Sequence, residues 1–406
     1  MKKLFTLAAV GAMAASSFSA EAQAPITVDG QLTASEVAAN GYQLVGRRPG
    51  LSPATRGFGD AGLLAVYAAS DANNLYFFVV GTLETNGGIL QNSIQMFIDR
   101  PGVAGIPAGT ALPLPAAATP PAANTSFQNM GARLDLAADL GVAVSRNDVA
   151  GQLKVDAIAY TPGTPNTATA TVASGTTPLN ATTGAALNTP ATLPAPFGGF
   201  ANASIAYRTS ANLSSNPGYN AGNAATIGNA PGNGLEIRVS RAAMGIPAAG
   251  GELRIFVVQN NQDGGFLSSD FIPMGGVAAT NANPGTNPDF TSAAFPGTQA
   301  ATLQIGTANL TVTNNRRAAE AAVAMSVFPN PVQDNTVVSY RVLSGTQDVR
   351  IELTDLMGRK VSTVFEGKQT AGEKEELLKS ASVAAGTYLV KVQVGDQVAT
   401  RKVTLL

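Results

Sequence analysis

Short runs of β-branched and aromatic residues, separated by turn-forming residues, recur along most of the chain. "LLAVYAAS" is followed by the turn signal "DANN" and then by "LYFFVVGTL", a pattern that predicts a β-hairpin. In "LEIRVS", Leu235, Ile237 and Val239 share one face of a strand, whereas "LYFFVV" and "RIFVVQ" are apolar on both faces, as central strands of a covered sheet are. The one helical pattern, "SRAAMGI", is a single turn. This part of the chain is therefore predicted to be an all-β, antiparallel β-sandwich.

Three long segments interrupt these strands: Pro101–Asn124, Thr161–Asn202 and Gly275–Gly297. They consist largely of Ala, Pro, Thr, Gly and Asn. Such residues bury little apolar area to offset the entropy lost on ordering, so we interpret the segments as long surface loops, either disordered or functional.

The first residues have the pattern of a secretory signal peptide. Lys2 and Lys3 precede an apolar run that ends near Ala15, and small residues follow it. The two A-x-A patterns around Ala22 predict cleavage, preferably after Ala22. No other apolar run is long enough to span a membrane, so we expect no membrane span in the mature chain.

Charge changes abruptly near residue 323. The last 84 residues hold 10 Lys or Arg and 9 Asp or Glu, whereas the preceding 322 hold only 15 and 17. This step predicts two separately built units: a β-sandwich passenger at 23–312 and a compact domain at 323–406, joined by an exposed linker at 313–322. The net charge of −1 gives no reason to expect a nucleic-acid partner.

The C-terminal unit contains well-alternating strand patterns and four motifs: "FPNP", "ELTDLMGRKV", "AAGTYLVKV" and "TRKVTLL". In content, order and spacing they resemble the type A C-terminal sorting domain of the type IX secretion system of Bacteroidetes. The resemblance implies a small Ig-like β-sandwich that the secretion translocon and the surface processing machinery recognise, and hence a secreted or cell-surface protein. Because proline fixes φ, the prolines of "FPNP" are expected to mark where the linker stops and the first strand begins. The residues that carry the resemblance are Phe328, Pro329, Asn330, Pro331, Asp355, Gly358, Arg359, Gly386, Tyr388 and Lys402.

The passenger resembles DOMON and family-nine carbohydrate-binding-module sandwiches, and secreted bacterial domains found ahead of PEP-CTERM sorting tags. The similarity lies in "PITVDGQ", "NLYFFVVGTLETNG", "MFID", "GLEIRVSRAAMGI" and "DGGFLSSDFIPMGG". It implies a glycan-binding fold, although the chain lacks the tryptophans with which family-nine modules clamp a sugar. Tyr207, Tyr219 and Phe266 are the better candidates for stacking on a ligand. The aromatic residues in strand patterns, Tyr42, Tyr67, Tyr76, Phe77 and Phe78, are expected in the core.

Candidate chemistry is sparse. With no His and no Cys, the chain lacks the commonest general base and any thiolate nucleophile, and we expect a non-enzymatic protein without a cofactor. "QNNQDGGFLSSD" has the length of a calcium loop, with Asn261, Asp263 and Asp270 as candidate ligands. A Gly-rich hairpin turn with Asx hydrogen bonds is the alternative interpretation. The clustered aspartates Asp135, Asp139, Asp148 and Asp156 are expected to be solvated.

These observations favour an exported, non-enzymatic surface or matrix protein that binds glycan or another cell-envelope component. A purely structural surface-layer or biofilm matrix protein is the alternative hypothesis, and a carboxylate- or metal-dependent glycan-active enzyme is a third.

Overall fold

The protein is all-β, and its strands are antiparallel throughout both main sheets. The computed structural model describes residues 25–37, 41–48, 58–86, 89–116, 125–146, 152–162, 169–172, 179–180, 182–193, 195–220, 226–275, 282–312, 323, 325–332, 336–355, 359–379, 383–395 and 397–405. The strands are β1 (Gln31–Leu32), β2 (Gln43–Arg47), β3 (Gly62–Ser70), β4 (Asn74–Thr82), β5 (Thr85–Asn86), β6 (Ile89–Leu90), β7 (Asn92–Asp99), β8 (Leu140–Arg146), β9 (Gln152–Ala159), β10 (Thr169–Val172), β11 (Leu179–Asn180), β12 (Leu187–Asn188), β13 (Ser204–Tyr207), β14 (Gly232–Ser240), β15 (Gly251–Asn261), β16 (Leu267–Ile272), β17 (Ala301–Ile305), β18 (Leu310–Val312), β19 (Ser326–Phe328), β20 (Thr336–Thr354), β21 (Lys360–Leu378), β22 (Gly386–Val394) and β23 (Gln397–Leu405). Among the described residues, short 3-10 helices span Phe197–Phe200 and Leu213–Ser215.

The passenger contains two large sheets. One has the order β12-β13-β14-β4-β3-β2, with β1 paired to β14. The other has the order β10-β9-β8-β7-β15-β17-β18, with β11 paired to β9 and β16 paired to β15. The predicted hairpin of "LLAVYAAS" and "LYFFVVGTL" is present as β3 and β4.

Both faces of each sheet are apolar, which explains the strands without alternation. In β4, Phe77 and Val79 belong to the core cluster shared by the two sheets, whereas Tyr76, Phe78 and Val80 pack in a separate cluster on the opposite face. The second sheet has the same division, with its own apolar cluster on its outer face. The prediction of central strands in a covered sheet is therefore correct, because loops and the N-terminal segment supply an outer apolar layer on each side.

The long segments are surface loops only in part: most of their described positions are exposed or half-buried, but Thr161–Asn202 contains β10, β11 and β12, and each segment buries a few side chains. Leu112 and Phe290 are buried in the outer cluster of the second sheet, and Phe290 lies 4.9 Å from Phe256, centroid to centroid. Phe197 and Phe200 are buried in the shared core. A few large side chains per segment are enough to anchor it, although they show no periodicity. Positions 117–124, 163–168, 173–178 and 276–281 of these segments lie outside the described residues.

The C-terminal unit has its own sheet and its own core. Its strand order is β19-β20-β22-β23, with β21 paired to β20, and its apolar cluster contains residues from Val323 to Leu405. The predicted strands "TVVSYRV" and "DVRIELT" form one long strand, β20, with a register shift between Val342 and Thr346. A bent strand of this kind lets the two parts of β20 pack on one core, giving a sandwich-like domain.

Three predicted features fall on residues outside the described part: the signal peptide, its cleavage after Ala22, and the linker at 313–322. Within the described residues, no helix has the length and apolarity needed to cross a membrane.

Candidate functional site

The four sorting motifs meet at one end of the C-terminal sheet. Register aligns Lys402 with Leu389, Leu389 with Thr354, and Thr354 with Lys360, across β23, β22, β20 and β21. Motif residues from three separate parts of the sequence therefore flank one row of the sheet. Each of these motifs supplies a turn or an edge at the same end of the sheet.

Asn330 joins the "FPNP" motif to the last strand. Its Nδ2 donates to the carbonyl oxygen of Lys402 at 3.0 Å, and its Oδ1 accepts from the backbone N–H of Thr404 at 3.1 Å. Two residues later, the N–H of Val332 donates to the carbonyl of Thr404 at 2.7 Å. The side-chain amide of Asn330 thus acts as a peptide group would in a neighbouring strand, and it covers the end of β23.

The prolines of this motif lie elsewhere than expected. A short strand, Ser326–Phe328, precedes them and pairs with β20, so Pro329 and Pro331 follow the first strand of the domain instead of preceding it. Without N–H groups, the two prolines end that strand and leave the side chain of Asn330 to make the contact with β23.

An ion pair closes the turn between β20 and β21. The carboxylate of Asp355 accepts from the backbone N–H of Arg359 at 2.9 Å and from its Nε at 2.7 Å, and the N–H of Asp355 donates to the carbonyl of Arg359 at 3.0 Å. The guanidinium is 83% exposed, so the bonds to the backbone matter more than the ion pair itself. Gly358 lies outside the described residues.

Gly386 and Tyr388 begin β22 at the same end. The phenol of Tyr388 donates to the carbonyl of Ala384 at 2.9 Å, folding back over the glycine. A Cβ at Gly386 would lie 3.4 Å from the ring, so glycine leaves the ring ample room. Lys402 is exposed and contributes its backbone to Asn330. The described motif residues therefore build turns and edges. The backbone of Phe328 pairs in the edge strand β19, but its large apolar side chain is 77% exposed.

The residues of the candidate calcium loop have separate partners. Asp263 accepts from Gly265 N at 3.0 Å and from Asn129 Nδ2 at 3.0 Å, and Asn261 accepts from Phe266 N at 3.2 Å. This arrangement is the hairpin turn of the alternative interpretation, with Gly264 at φ +81°. Among the described residues, no group of three or more His, Cys, Asp or Glu side chains is placed to hold a metal ion.

Asp270 lies inside the protein. It accepts a hydrogen bond from the guanidinium of Arg48, and its Oδ2 accepts from the N–H of Leu63 at 2.8 Å. Arg48 is fully buried and also donates to Ser269 Oγ at 3.1 Å. Asp270 on β16 therefore links the two sheets of the passenger. Sequence reasoning missed Arg48, because nothing local marks an arginine that pairs 222 positions away.

The aspartates that were expected to be solvated are largely buried. Asp139 is 1% exposed and accepts from Arg100 Nε at 2.5 Å, and burial raises its pKa. Asp156 is fully buried and accepts from Ser145 Oγ at 2.6 Å, and burial raises its pKa also. Asp135 accepts from Gln299 N at 2.6 Å. These carboxylates fasten covering segments to the second sheet; Asp148 lies outside the described residues.

The aromatic candidates differ in exposure. Tyr207 is buried, with its hydroxyl accepting from Leu83 N at 2.9 Å, and Tyr219 packs partly buried on the outer cluster of the first sheet. Phe266 is 40% exposed and faces Phe58, with ring centroids 6.3 Å apart and planes at 49°. The strand-pattern aromatics lie in the core as expected: Tyr42, Tyr67, Tyr76, Phe77 and Phe78.

Comparison with known proteins identifies the C-terminal unit. Residues 326–405 match the family described as secretion system C-terminal sorting domain. The unit is therefore a sorting domain, which confirms the prediction from the motifs, and the chain is a type IX secretion substrate destined for the cell surface or the medium. No curated protein matches the chain.

Solved structures give only distant likenesses. The chain is similar to dimeric latent PorU from Porphyromonas gingivalis (11% identity, TM-score 0.18, 86% of this chain and 34% of that one). It is also similar to PorZ, a surface component of the type IX secretion system of the same organism (12%, 0.16, 86% and 50%), and to the fusion protein EFF-1 of C. elegans (9%, 0.14, 91% and 98%). The chain thus spans a third to a half of the length of PorU and PorZ.

Proposed function

We propose that the chain is a non-enzymatic protein which the type IX system exports, and whose passenger binds a glycan or another cell-envelope component. The observation that carries the binding proposal is Phe266, which is 40% exposed at the tip of the β15–β16 hairpin and lies beside the half-buried ring of Phe58. Single exposed apolar residues are common on proteins, but an exposed aromatic ring at a hairpin tip gives a sugar ring a face on which to stack.

Polar groups lie on the same hairpin as Phe266. Asn129 and Asp263 are joined by an exposed hydrogen bond of 3.0 Å, and Asn261 lies on the same hairpin. Planar amides and carboxylates beside an aromatic surface are the usual donors and acceptors for sugar hydroxyls. The resemblance of the passenger to DOMON and family-nine sandwiches supports this proposed binding role.

The residue types and the contacts of the buried carboxylates support a non-enzymatic protein. The sequence contains no histidine or cysteine. The described buried carboxylates each accept structural hydrogen bonds: Glu36, Asp139, Asp156, Glu236 and Asp270. A general acid or base needs a proton-transfer path to a substrate, and these groups are enclosed by protein.

A glycan array with the full chain tests the binding proposal. Phe266→Ser should abolish binding to any glycan that the unaltered chain retains. Leu114→Ser is the matched control, since Leu114 is 45% exposed on another segment, and it should bind as the unaltered chain does. No retention at millimolar glycan, or equal retention by both variants, would exclude Phe266 as a glycan site. Ordered multimers in negative-stain images would then favour a structural surface protein.

A further inference from the structure

An apolar row crosses the outer face of the sorting domain. Register places Phe328 on β19 opposite Val337 on β20, and Val337 opposite Leu377 on β21. Residues directly opposite each other in antiparallel strands point to the same face, so the three side chains lie side by side. Phe328 is 77% exposed, Leu377 is 53% exposed, and Val337 between them is half-buried.

This row is not part of the domain core. The neighbouring positions Val338 and Leu378 point to the other face and are fully buried. The next row on the outer face is polar, with Ser326 and Ser339 hydroxyls 2.7 Å apart and Glu375 opposite Ser339. Two exposed apolar side chains with a half-buried one between them, bordered by polar residues, form a small apolar patch of the kind that marks an interaction surface.

The other end of the same sheet is lined by charged side chains instead of apolar ones. There Arg350 pairs with Glu366, and Lys368 lies 4.0 Å from Asp348, around a groove of about 360 Å³. These charges neutralise one another and remain hydrated, so that end offers little to a partner. Glu375, beside the apolar row, makes no ion pair among the described residues.

We propose that the Phe328–Val337–Leu377 row is the surface by which the sorting domain docks onto a protein of the secretion machinery. The matching surface of that partner carries an apolar strip and a lysine or arginine that faces Glu375. Two observations select this occupant. The domain belongs to a family of sorting domains, which the machinery must recognise, and the row begins at Phe328, a motif residue whose backbone pairs in β19 while its side chain is 77% exposed.

Export of the full chain by a host with a type IX system tests the row. The double variant Phe328→Ser, Leu377→Ser should reach the cell surface and medium about tenfold less than the unaltered chain, because the two anchor side chains together should contribute about 1.4 kcal/mol to binding. Leu114→Ser is the matched control: Leu114 is 45% exposed but lies in the passenger, outside the sorting domain. It should be exported normally.

Each further outcome is decisive. Normal export of the double variant overturns the proposal, as does equal loss in the control. If the double variant also melts at a lower temperature, Glu375→Lys decides, since it alters one exposed charge; reduced export supports the proposal and unchanged export overturns it.

A change from dimer to monomer in the double variant, measured by light scattering, would show that a second copy of the chain covers the row, and would also overturn the proposal. A chain ending at Ala324 sets the baseline: its normal export would refute the sorting role itself, separately from the docking row.

Discussion

The phenol of Tyr42 donates a hydrogen bond of 2.8 Å to Oε1 of Glu236 in the outer layer of the passenger, where the two side chains are 1% and 0% exposed. The second oxygen, Oε2, accepts from the backbone N–H groups of Asp29 at 2.9 Å and Gly30 at 3.0 Å. One carboxylate on β14 thereby holds the N-terminal segment against the first sheet. Burial, only partly offset by these three donors, raises the pKa of Glu236 from 4.5 to about 7.

The first prediction concerns pH. Because the pKa of Glu236 is higher in the folded chain than in the unfolded one, its contribution to stability is fully present below about pH 4.5 and is lost as pH rises through about 7. The loss amounts to roughly 3 kcal/mol, at about 1.4 kcal/mol per pKa unit. Urea unfolding of Glu236→Gln at pH 5 and pH 8 should show a smaller pH dependence than the unaltered chain. The exposed Glu252→Gln serves as control and should leave the dependence unchanged.

The second prediction concerns the buried pair of Arg48 and Asp270. Asp270→Asn should lower the free energy of unfolding of the passenger by about 3 kcal/mol, because the buried charge of Arg48 loses its ion pair with Asp270. Exposed Asp348→Asn, in the sorting domain, should cost less than about 1 kcal/mol. Chemical denaturation of both variants measures the difference; equal values would show that the buried pair is not a structural link between the sheets.

The third prediction concerns calcium. Asp270 is engaged by Arg48 and Leu63, and Asp263 is engaged by Asn129 and Gly265. We therefore expect the melting temperature of the full chain to be the same with millimolar calcium and with chelator, since a ligand raises it only by binding the folded state. A calcium-dependent rise that Asp263→Asn removes would restore the calcium-loop hypothesis.

The fourth prediction concerns Asn330. Asn330→Ala removes two hydrogen bonds to β23 and should destabilise the sorting domain by about 1–2 kcal/mol. Asn330→Asp keeps an acceptor for Thr404 N but brings a carboxylate to the carbonyl of Lys402, so it should not restore stability. Limited proteolysis of the full chain, followed at the C-terminal unit, measures both; resistance equal to that of the unaltered chain would contradict the role of the side chain.

Local patterns predicted the strands well where several consecutive residues were buried. The hairpin of β3 and β4, the doubly apolar strand β15 and the separate C-terminal domain followed from them. The same patterns could not show that the two halves of β20 are one strand, because "LSGTQ" reads as a turn and only pairing with β21 makes it continuous.

Long-range features escaped sequence reasoning for a different reason. The covering layer depends on isolated residues such as Leu112 and Phe290, which have no periodicity, and on buried charges such as Glu236 and Asp270, whose partners lie about 200 positions away. The sorting motifs were found through their resemblance to a known family, because hydrophobic periodicity alone does not mark them. Their meeting at one row of the sheet, and the exposed row at Phe328, required the register of the strands.

The outer apolar layers of the passenger draw on both of its ends, with Leu32 over the first sheet and Ala300 over the second. Asp135 is held by the backbone of residues 299 and 300, immediately before β17. A passenger shortened at either end would consequently expose the apolar outer face of a sheet, and would lose more than a terminal tail. The passenger can therefore complete its fold only when nearly all of its residues, from Leu32 to Ala300, are present. The sorting domain comes next along the chain.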